Sequence, residues 1–400
     1  MVAIVSIPTV SRRRELKRTR VSNCQAKRQC PLIAPLALFE LRRTPILSEI
    51  ERFLSWQLSR SESRVNLIMT ARVLVIGATG AMGRAVIKAL LADERDERKN
   101  WSVKIFSRDP GSRRAQELLR DGGRRTDAVK GDLDDPASLR AAMDGAQAMF
   151  VNTDFFSSMS VRAEYEQGVR VLEAAQSVGV EQVVYSSLDA AVSLTDGAIP
   201  VPHYDAKAGV EHWIDMMRSD EFMRCDTAGY YSNCVSVLVT APYFENFQSL
   251  FPPQSDGSGG LIFHFAGGGK PHPMIALADI GWFVAEILAH PEKWGGRTLR
   301  VLGDAPTLEE VASTFQKVTG IRTIWRDMPL ELVRQRANYG HDLANMYAFF
   351  QVHGITRNLT NLRQIHPGLL TFETWLRQTG WRGEPREVQA RIRAKVAPAT

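Results

Sequence analysis

The chain has 400 residues, 44% hydrophobic and 24% charged, with a formal net charge of +6, a length that suits an α/β domain carrying an appended substrate lobe around a sizeable core. Residues 1–70 hold 13 Lys and Arg against 5 Asp and Glu, so the rest of the chain is slightly acidic and offers no domain-wide positive field for nucleic acid. No apolar run approaches the ~20 residues of a membrane span, and Cys24, Cys30, Cys225 and Cys234 have neither zinc-ligand spacing nor the density of a disulfide framework, which excludes a membrane role and points to a soluble protein of a reducing, cytoplasmic compartment.

The first segment carries Arg12-Arg13-Arg14, Lys17-Arg18 and Arg20, with Glu15 the one acid before Glu40. That bias is typical of an organelle transit peptide. The alternative is an upstream extension outside the working protein, with Met69 as the natural start. Residues 1–70 are therefore read as a basic extension, 71–245 as the first folded domain, 246–381 as a cleft-forming lobe interleaved with it, and 382–400 as a basic tail.

An unbroken apolar run, Val73-Leu74-Val75-Ile76, stops at Gly77-Ala78-Thr79-Gly80-Ala81-Met82-Gly83 and restarts with helical spacing at Val86 and Ile87. The pattern predicts strand, tight turn and helix. Gly77 and Gly80 allow positive φ and close approach of the backbone to a pyrophosphate, while Gly83 lets helix and strand pack. The free N–H groups of the first helical turn then face the phosphates. A structural βα turn is the alternative, because the spacing is G-x-x-G-x-x-G.

Residues 93–100 read as a charged surface turn, and Val103 to Arg108 as a second strand. An acid at its end would hold the ribose hydroxyls of NAD; Arg108 after Ser107 offers a cation to a 2′-phosphate instead and favours NADP. Otherwise Arg108 is a solvated loop arginine beside Asp109. Ala128–Lys130 is a short strand before Asp132 and Leu133, Pro136 opens a helix running to Met143, Ala146–Val151 is a strand, and Glu164–Val178 is a long helix. Val183–Ser186 is the fifth strand, His203–Lys207 opens a helix through Met217, residues 223–234 are an insertion, and Val235–Val239 is the sixth strand. Strands alternating with helices in this way predict an α/β fold with a Rossmann-type, doubly wound parallel sheet. Ligands then gather at the C-terminal strand ends, near Gly77, Arg108, Asp132, Thr153 and Ser187. Farther on, Asp279 is a candidate N-cap, Thr307-Leu308-Glu309-Glu310 a capping box, and Arg334–Phe350 and Thr371–Leu376 are helical, so a smaller, mostly helical lobe closes the chain.

Several short stretches together resemble the NmrA-like family of atypical short-chain dehydrogenases, especially its animal redox-sensor branch, from Arg72 to about Trp381. They are Gly77-Ala78-Thr79-Gly80, Lys130-Gly131-Asp132, Thr153-Asp154-Phe155-Phe156, Glu164 with Gly168, Val184-Tyr185-Ser186-Ser187-Leu188, His203-Tyr204-Asp205-Ala206-Lys207, Pro242-Tyr243-Phe244-Glu245-Asn246-Phe247 and Asp342-Leu343-Ala344-Asn345-Met346. The resemblance implies a domain that binds NADP(H), with Arg108 on the 2′-phosphate. It also implies cofactor contacts from Gly77, Thr79, Gly80, Ala81, Met82, Gly83, Asp132, Leu133, Thr153 and Lys207. A cleft lies under the C-terminal lobe, and its expected lining is Phe155, Phe156, Tyr243, Phe244 and Asn246, although Tyr243, Phe244 and Phe247 serve equally as core. The cysteines lie outside the matching stretches, which argues against thiol chemistry.

Active short-chain dehydrogenases use a Ser, a Tyr and a Lys four residues after the Tyr. Ser187 and Lys207 suit two of these places, but the residue four before Lys207 is His203, and Tyr204 stands one position late. That offset turns a helical side chain by about 100°. His203 can supply a proton at neutral pH; alternatively it only touches the nicotinamide ribose or a carbonyl. No H-E-x-x-H, G-x-S-x-G or P-loop lysine occurs, and no metal is expected. Two functions follow. One is an NADP(H)-binding redox regulator that reports cofactor balance to a protein partner through the cleft or the C-terminal lobe. The other is an NADPH-dependent reductase of quinones or conjugated carbonyls using His203, Lys207 and Ser187. A nucleic-acid role through the basic arm is a third, weaker reading.

Overall fold

The computed structural model describes residues 71–93, 101–336 and 339–388. The basic arm with Cys24 and Cys30, the Met69 start, most of the charged turn after Asp93, Asn338 and the last residues of the tail lie outside the described residues.

The strand–turn–helix run is β1 (Arg72–Ile76) followed by α1 (Ala81–Leu91), then β2 (Ser102–Ser107), α2 (Arg113–Gly122), β3 (Thr126–Lys130), α3 (Pro136–Met143) and β4 (Ala148–Val151). A one-turn helix α4 (Phe155–Ser158) precedes α5 (Val161–Val178), β5 (Gln182–Ser187), α6 (Pro202–Met223) and β6 (Val235–Val239). The helix read from Glu164 starts earlier because Ser160 caps it, its side chain accepting the Ala163 N–H. At α3, Asp135 caps Ala137 behind Pro136, the arrangement that proline at the first helical position favours.

Side chains alternate across the sheet with the period of a strand. Val73 and Val75 join the core under α1, whereas Leu74 and Ile76 join the opposite core under α3, α5 and α6. All seven strands of this sheet are parallel, in the order β3-β2-β1-β4-β5-β6-β9, the last being Thr298–Arg300, and sequence order reverses between β1 and β4. That switch point opens a crevice beyond Ile76 and Val151.

The chain then leaves the sheet, returns to it, and leaves again. β7 (Gln254–Ser255) and β8 (Leu261–Phe265) belong to the lobe; α7 (Leu277–Ala289) packs on α1; β9 (Thr298–Arg300) is the seventh strand. A Cβ at Gly281 would stand 2.5 Å from the Ala85 carbonyl oxygen, so glycine is what lets α7 lie this close to α1. The lobe resumes with α8 (Leu308–Thr319), β10 (Thr323–Asp327), α9 (Leu330–Arg334), α10 (Gly340–Val352), α11 (Leu359–Ile365) and α12 (Phe372–Thr379). It is mostly helical, with a three-stranded sheet, β10-β8-β7, that periodicity did not reveal. Its core is aromatic: Phe244, Phe247, Phe263, Phe315, Tyr347, Phe349, Trp375 and Trp381 are all buried.

Three local expectations change. The Thr307 capping box forms with Glu310, but α7 is capped at Ala276, and Asp279 sits inside the first turn, where its carboxylate accepts from the Leu370 N–H and meets His366. The single helix expected over Arg334–Phe350 is two, α9 and α10. Residues 223–234 finish α6, turn, and form a short helix at Tyr230–Asn233 that buried Glu221 holds by accepting the Tyr231 and Ser232 N–H groups.

Candidate functional site

The turn after β1 closes with the Gly80 N–H donating to the Gly77 carbonyl at 3.0 Å. Gly77 has φ +78°, and a Cβ there would stand 2.4 Å from the Asn152 carbonyl oxygen at the end of β4. Gly83 would drive a Cβ to 2.2 Å from the Gly77 carbonyl oxygen. Gly80 differs from both. Its φ is −76°, so the positive φ expected of it falls on Gly77 alone. Around the place of its Cβ lies only the Gly77 oxygen at 3.2 Å. Gly80, Thr79, Ala81 and Met82 thus frame an open cradle at the start of α1, where no side chain caps the helix and its first turn holds no acid. Free N–H groups beside an open backbone suit a pyrophosphate.

At the end of β2, the Ser107 hydroxyl accepts the Asp109 N–H and the Asp109 carboxylate accepts the Gly111 N–H. Asp109 is therefore committed to its own turn, and exposed Arg108 makes no hydrogen bond or ion pair among the described residues. After β3, a Cβ at Gly131 would run into the Phe106 ring at 2.3 Å. Asp132 uses its carboxylate on the Asp134 N–H, and the Leu133 carbonyl accepts from Arg170.

Lys207, on the first turns of α6, reaches the end of β4. Its ammonium donates to Asn152 Oδ1 (3.1 Å), the Thr153 carbonyl (2.8 Å) and Thr153 Oγ1 (3.0 Å), and lies 2.9 Å from Glu164 Oε1. The Thr153 hydroxyl in turn donates to Glu164 Oε1 at 2.6 Å, and Glu164 is fully buried. An ammonium has three protons, so these acceptors saturate it, and contact with a ribose requires the network to reopen. Ser187 takes a different partner. Its hydroxyl donates to Glu211 Oε2 at 2.7 Å, one helical turn beyond Lys207, and Glu211 also pairs with Arg300. Burial pushes the Glu211 carboxyl up against the pull of that arginine. Ser187 and Lys207 are thus held by separate networks.

His203 sits at the start of α6. Its Nδ1 lies 2.5 Å from Asp342 Oδ2, and its backbone N–H donates to Asp342 Oδ1 at 3.1 Å. Asp342 is buried in the first turn of α10, so this residue of the lobe grips the mouth of the crevice. Beside it, the Asn345 side chain donates to the Pro200 carbonyl. The imidazole ring packs 5.5 Å from Phe156 and 6.3 Å from Phe155, and Phe156 meets Tyr339. Tyr204 is turned into the lobe core against Phe349 and Phe350, and burial pushes its hydroxyl well above the usual phenol range. It does not take the place of the missing tyrosine.

The expected cleft residues divide. Phe155 and Phe156 stand by His203, whereas Phe244 is fully buried against Phe372 and Trp375. Tyr243 and Asn246 border a cavity of about 20 Å³ with Phe251, His272 and Met346, room for about one water. Glu245 holds the joint between lobe and sheet domain, accepting from the Leu277 N–H and the Trp375 indole. The residues that periodicity and spacing missed are Asn152, Glu211 and Arg300. Glu164 and Asp342 lay inside recognisable stretches without a visible role, because their partners are remote in sequence.

A model of the NmrA-like family matches residues 69–376. An NmrA-like family domain-containing oxidoreductase of Penicillium ochrochloron, ptmS, is 27% identical over 297 residues, covering 70% of this chain and 83% of the relative. Among solved structures, the negative transcriptional regulator NmrA in complex with NAD superposes with a TM-score of 0.61 at 18% identity, over 77% of this chain and 95% of that one. The Citrobacter sp. triphenylmethane reductase complexed with NADP(H) gives 0.58 at 17% identity, over 77% and 99%. The two superpositions concern the fold; the match over residues 69–376 decides the family, and the chain belongs to the NmrA-like family.

Proposed function

We propose that this chain binds NADP(H) at the switch point of its sheet and works as a regulator whose C-terminal lobe responds to the cofactor. The open cradle at Gly80 and the exposed guanidinium of Arg108, which has no hydrogen bond or ion pair among the described residues, support the cofactor. The observation that carries the regulatory reading is the grip of Asp342 on His203. A dinucleotide extending from the cradle past Thr153 ends beside His203, so its nicotinamide end meets a residue whose polar contact ties α6 to α10. No tyrosine stands four residues before Lys207, and the lysine is saturated by Asn152, Thr153 and Glu164. The proton supply that short-chain dehydrogenases use is therefore lacking. A protein partner would read the lobe.

A second reading, reduction of quinones or conjugated carbonyls with NADPH, is favoured by the same pair in another role and by the oxidoreductase name of ptmS. The Asp342 carboxylate faces Nδ1 at salt-bridge distance without hydrogen-bond geometry, and Nε2 is left to deliver a proton to a substrate oxygen. Incubation with NADPH and a panel of quinones and enals separates the two. The regulator is expected to leave NADPH unoxidised while NADPH slows amide exchange over 339–352; steady oxidation abolished by His203→Ala would overturn it in favour of the reductase. In the same titrations NADPH should bind more tightly than NADH, and Arg108→Ala should weaken NADPH about tenfold to a hundredfold, a charge-assisted bond of ~1.5–3 kcal/mol, while sparing NADH.

A further inference from the structure

The end of the described chain returns to the cofactor crevice. After Trp381, whose indole donates to the Glu384 carbonyl at 2.8 Å, the Arg386 N–H donates to the Gln248 carbonyl at 2.7 Å, and Val388 packs on the sheet core. Between them Glu387 reaches two arginines at the start of α2. Its carboxylate accepts from Arg113 Nη2 at 3.3 and 3.1 Å and from Arg114 Nη2 at 2.9 Å. Arg114 also donates to the Thr79 carbonyl, at 3.3 Å, inside the glycine-rich turn. Glu117 pairs with Arg113 at 3.6 Å and with Arg84 at 3.1 Å, so Arg113 is shared between Glu117 and Glu387.

We propose that Arg113 and Arg114 form a second phosphate-binding subsite on the adenosine side of the crevice, and that Glu387 of the chain's own C-terminal segment occupies it as an intramolecular competitor. This rests on the NADP(H) reading and adds to it. A planar guanidinium pair recognises carboxylate and phosphate by the same forked geometry. The loop that carries Arg108 leads directly into Arg113, and Arg114 touches the turn at Thr79, so the pair borders the ground between the pyrophosphate cradle and the end of β2. A nucleotide 2′-phosphate carries about −2 charge against the carboxylate's −1, so it displaces Glu387. The arginines hold the Glu387 carboxyl below the usual range, which keeps it an anion at neutral pH.

Titration of the full-length chain with NADPH, NADH and 2′,5′-ADP tests this. Glu387→Gln removes the competing charge and keeps the shape; it is expected to tighten NADPH and 2′,5′-ADP about two- to fivefold, the range of a partly exposed ion pair, and to leave NADH unchanged. Arg113→Ala with Arg114→Ala should weaken NADPH about tenfold and make Glu387→Gln silent. Equal tightening of NADPH and NADH would overturn the proposal, since the tail would then shield the crevice without competing for phosphate. Wild type that binds NADPH with an affinity Glu387→Gln does not change would overturn it alone. Wild type that binds neither dinucleotide would overturn it together with the cofactor reading.

Discussion

Gly80 and Gly83 are glycines for opposite reasons. At Gly83 a side chain collides with the backbone oxygen of Gly77 at 2.2 Å, whereas at Gly80 its one close neighbour is that same oxygen at 3.2 Å. Gly83→Val is expected to lower stability by about 3 kcal/mol or more, the upper range of overpacking where backbone must move. Gly80→Val should still fold, with a small drop in melting temperature from the 3.2 Å contact and the poorer N-cap, and lose NADPH binding, because the valine fills the cradle. Calorimetric titration with NADPH beside thermal melts checks both; Gly80→Val that still binds would reduce the turn to a structural device. Lys207 carries a related lesson. A lysine on the first turn of a helix is usually solvated, yet this one is buried with its protons committed to Asn152, Thr153 and Glu164. Burying both charges is tolerated because the ammonium and the Thr153 hydroxyl both meet Glu164 Oε1, which leaves Oε2 without a hydrogen-bond partner among the described residues.

At the scale of elements, α6 connects the parts of the site. Pro202 starts it, and the Asp205 carboxylate accepts the Val201 N–H at 2.7 Å and the Val192 N–H at 2.9 Å. Its first turn meets the lobe through His203, its next meets β4 through Lys207, the one after meets β5 through Glu211, and its end anchors residues 230–233 through Glu221. In the lobe, His272 follows β8 and packs among Phe265, Tyr347 and Phe350. Burial alone depresses its imidazole from 6.5 to about 4. The native state thus keeps it neutral where the unfolded chain takes up a proton, so its contribution to stability is complete above pH 6.5 and lost as pH falls toward 4. Over that window the loss is about 3 kcal/mol. His272→Phe should remove this part of the acid sensitivity; urea unfolding at pH 7 and pH 4.5 measures it, and equal pH dependence in both proteins would refute the assignment.

The whole molecule is organised by a chain that enters the lobe, returns to supply α7 and β9 to the sheet domain, and enters the lobe again. Lobe and sheet domain are therefore stitched by covalent crossings as well as by contacts. Asp342 makes one of the polar contacts between them, at the start of α6. Asp342→Asn keeps an acceptor for the His203 N–H but removes the charge facing Nδ1, and should cost about 1–3 kcal/mol by urea denaturation. It should also abolish the NADPH-dependent change in amide exchange over 339–352. Full retention of that response would show that the lobe senses the cofactor by another route.

The sequence by itself determined what depends on near neighbours. The unbroken apolar run Val73 to Ile76, the glycines that follow, Pro136 and the Thr307 box each act within a few residues, so strands, turn, caps and the doubly wound sheet could be read directly, and with them the strand ends that carry Gly77, Arg108, Asp132, Thr153 and Ser187. Tertiary structure decided what each polar side chain does there. His203 and Asp342 are separated by 139 positions, and Lys207 and Asn152 by 55. Glu387 meets Arg113 across 274. Asp279 had the local signature of a helix cap and was drawn instead to Leu370 and His366. The three-stranded sheet of the lobe was hidden because Leu261–Phe265 finds its partner in Thr323–Asp327. Local periodicity encodes which face of an element is buried, while the partner of a buried charge is chosen only when distant segments meet, since an unpaired charge cannot remain in the interior.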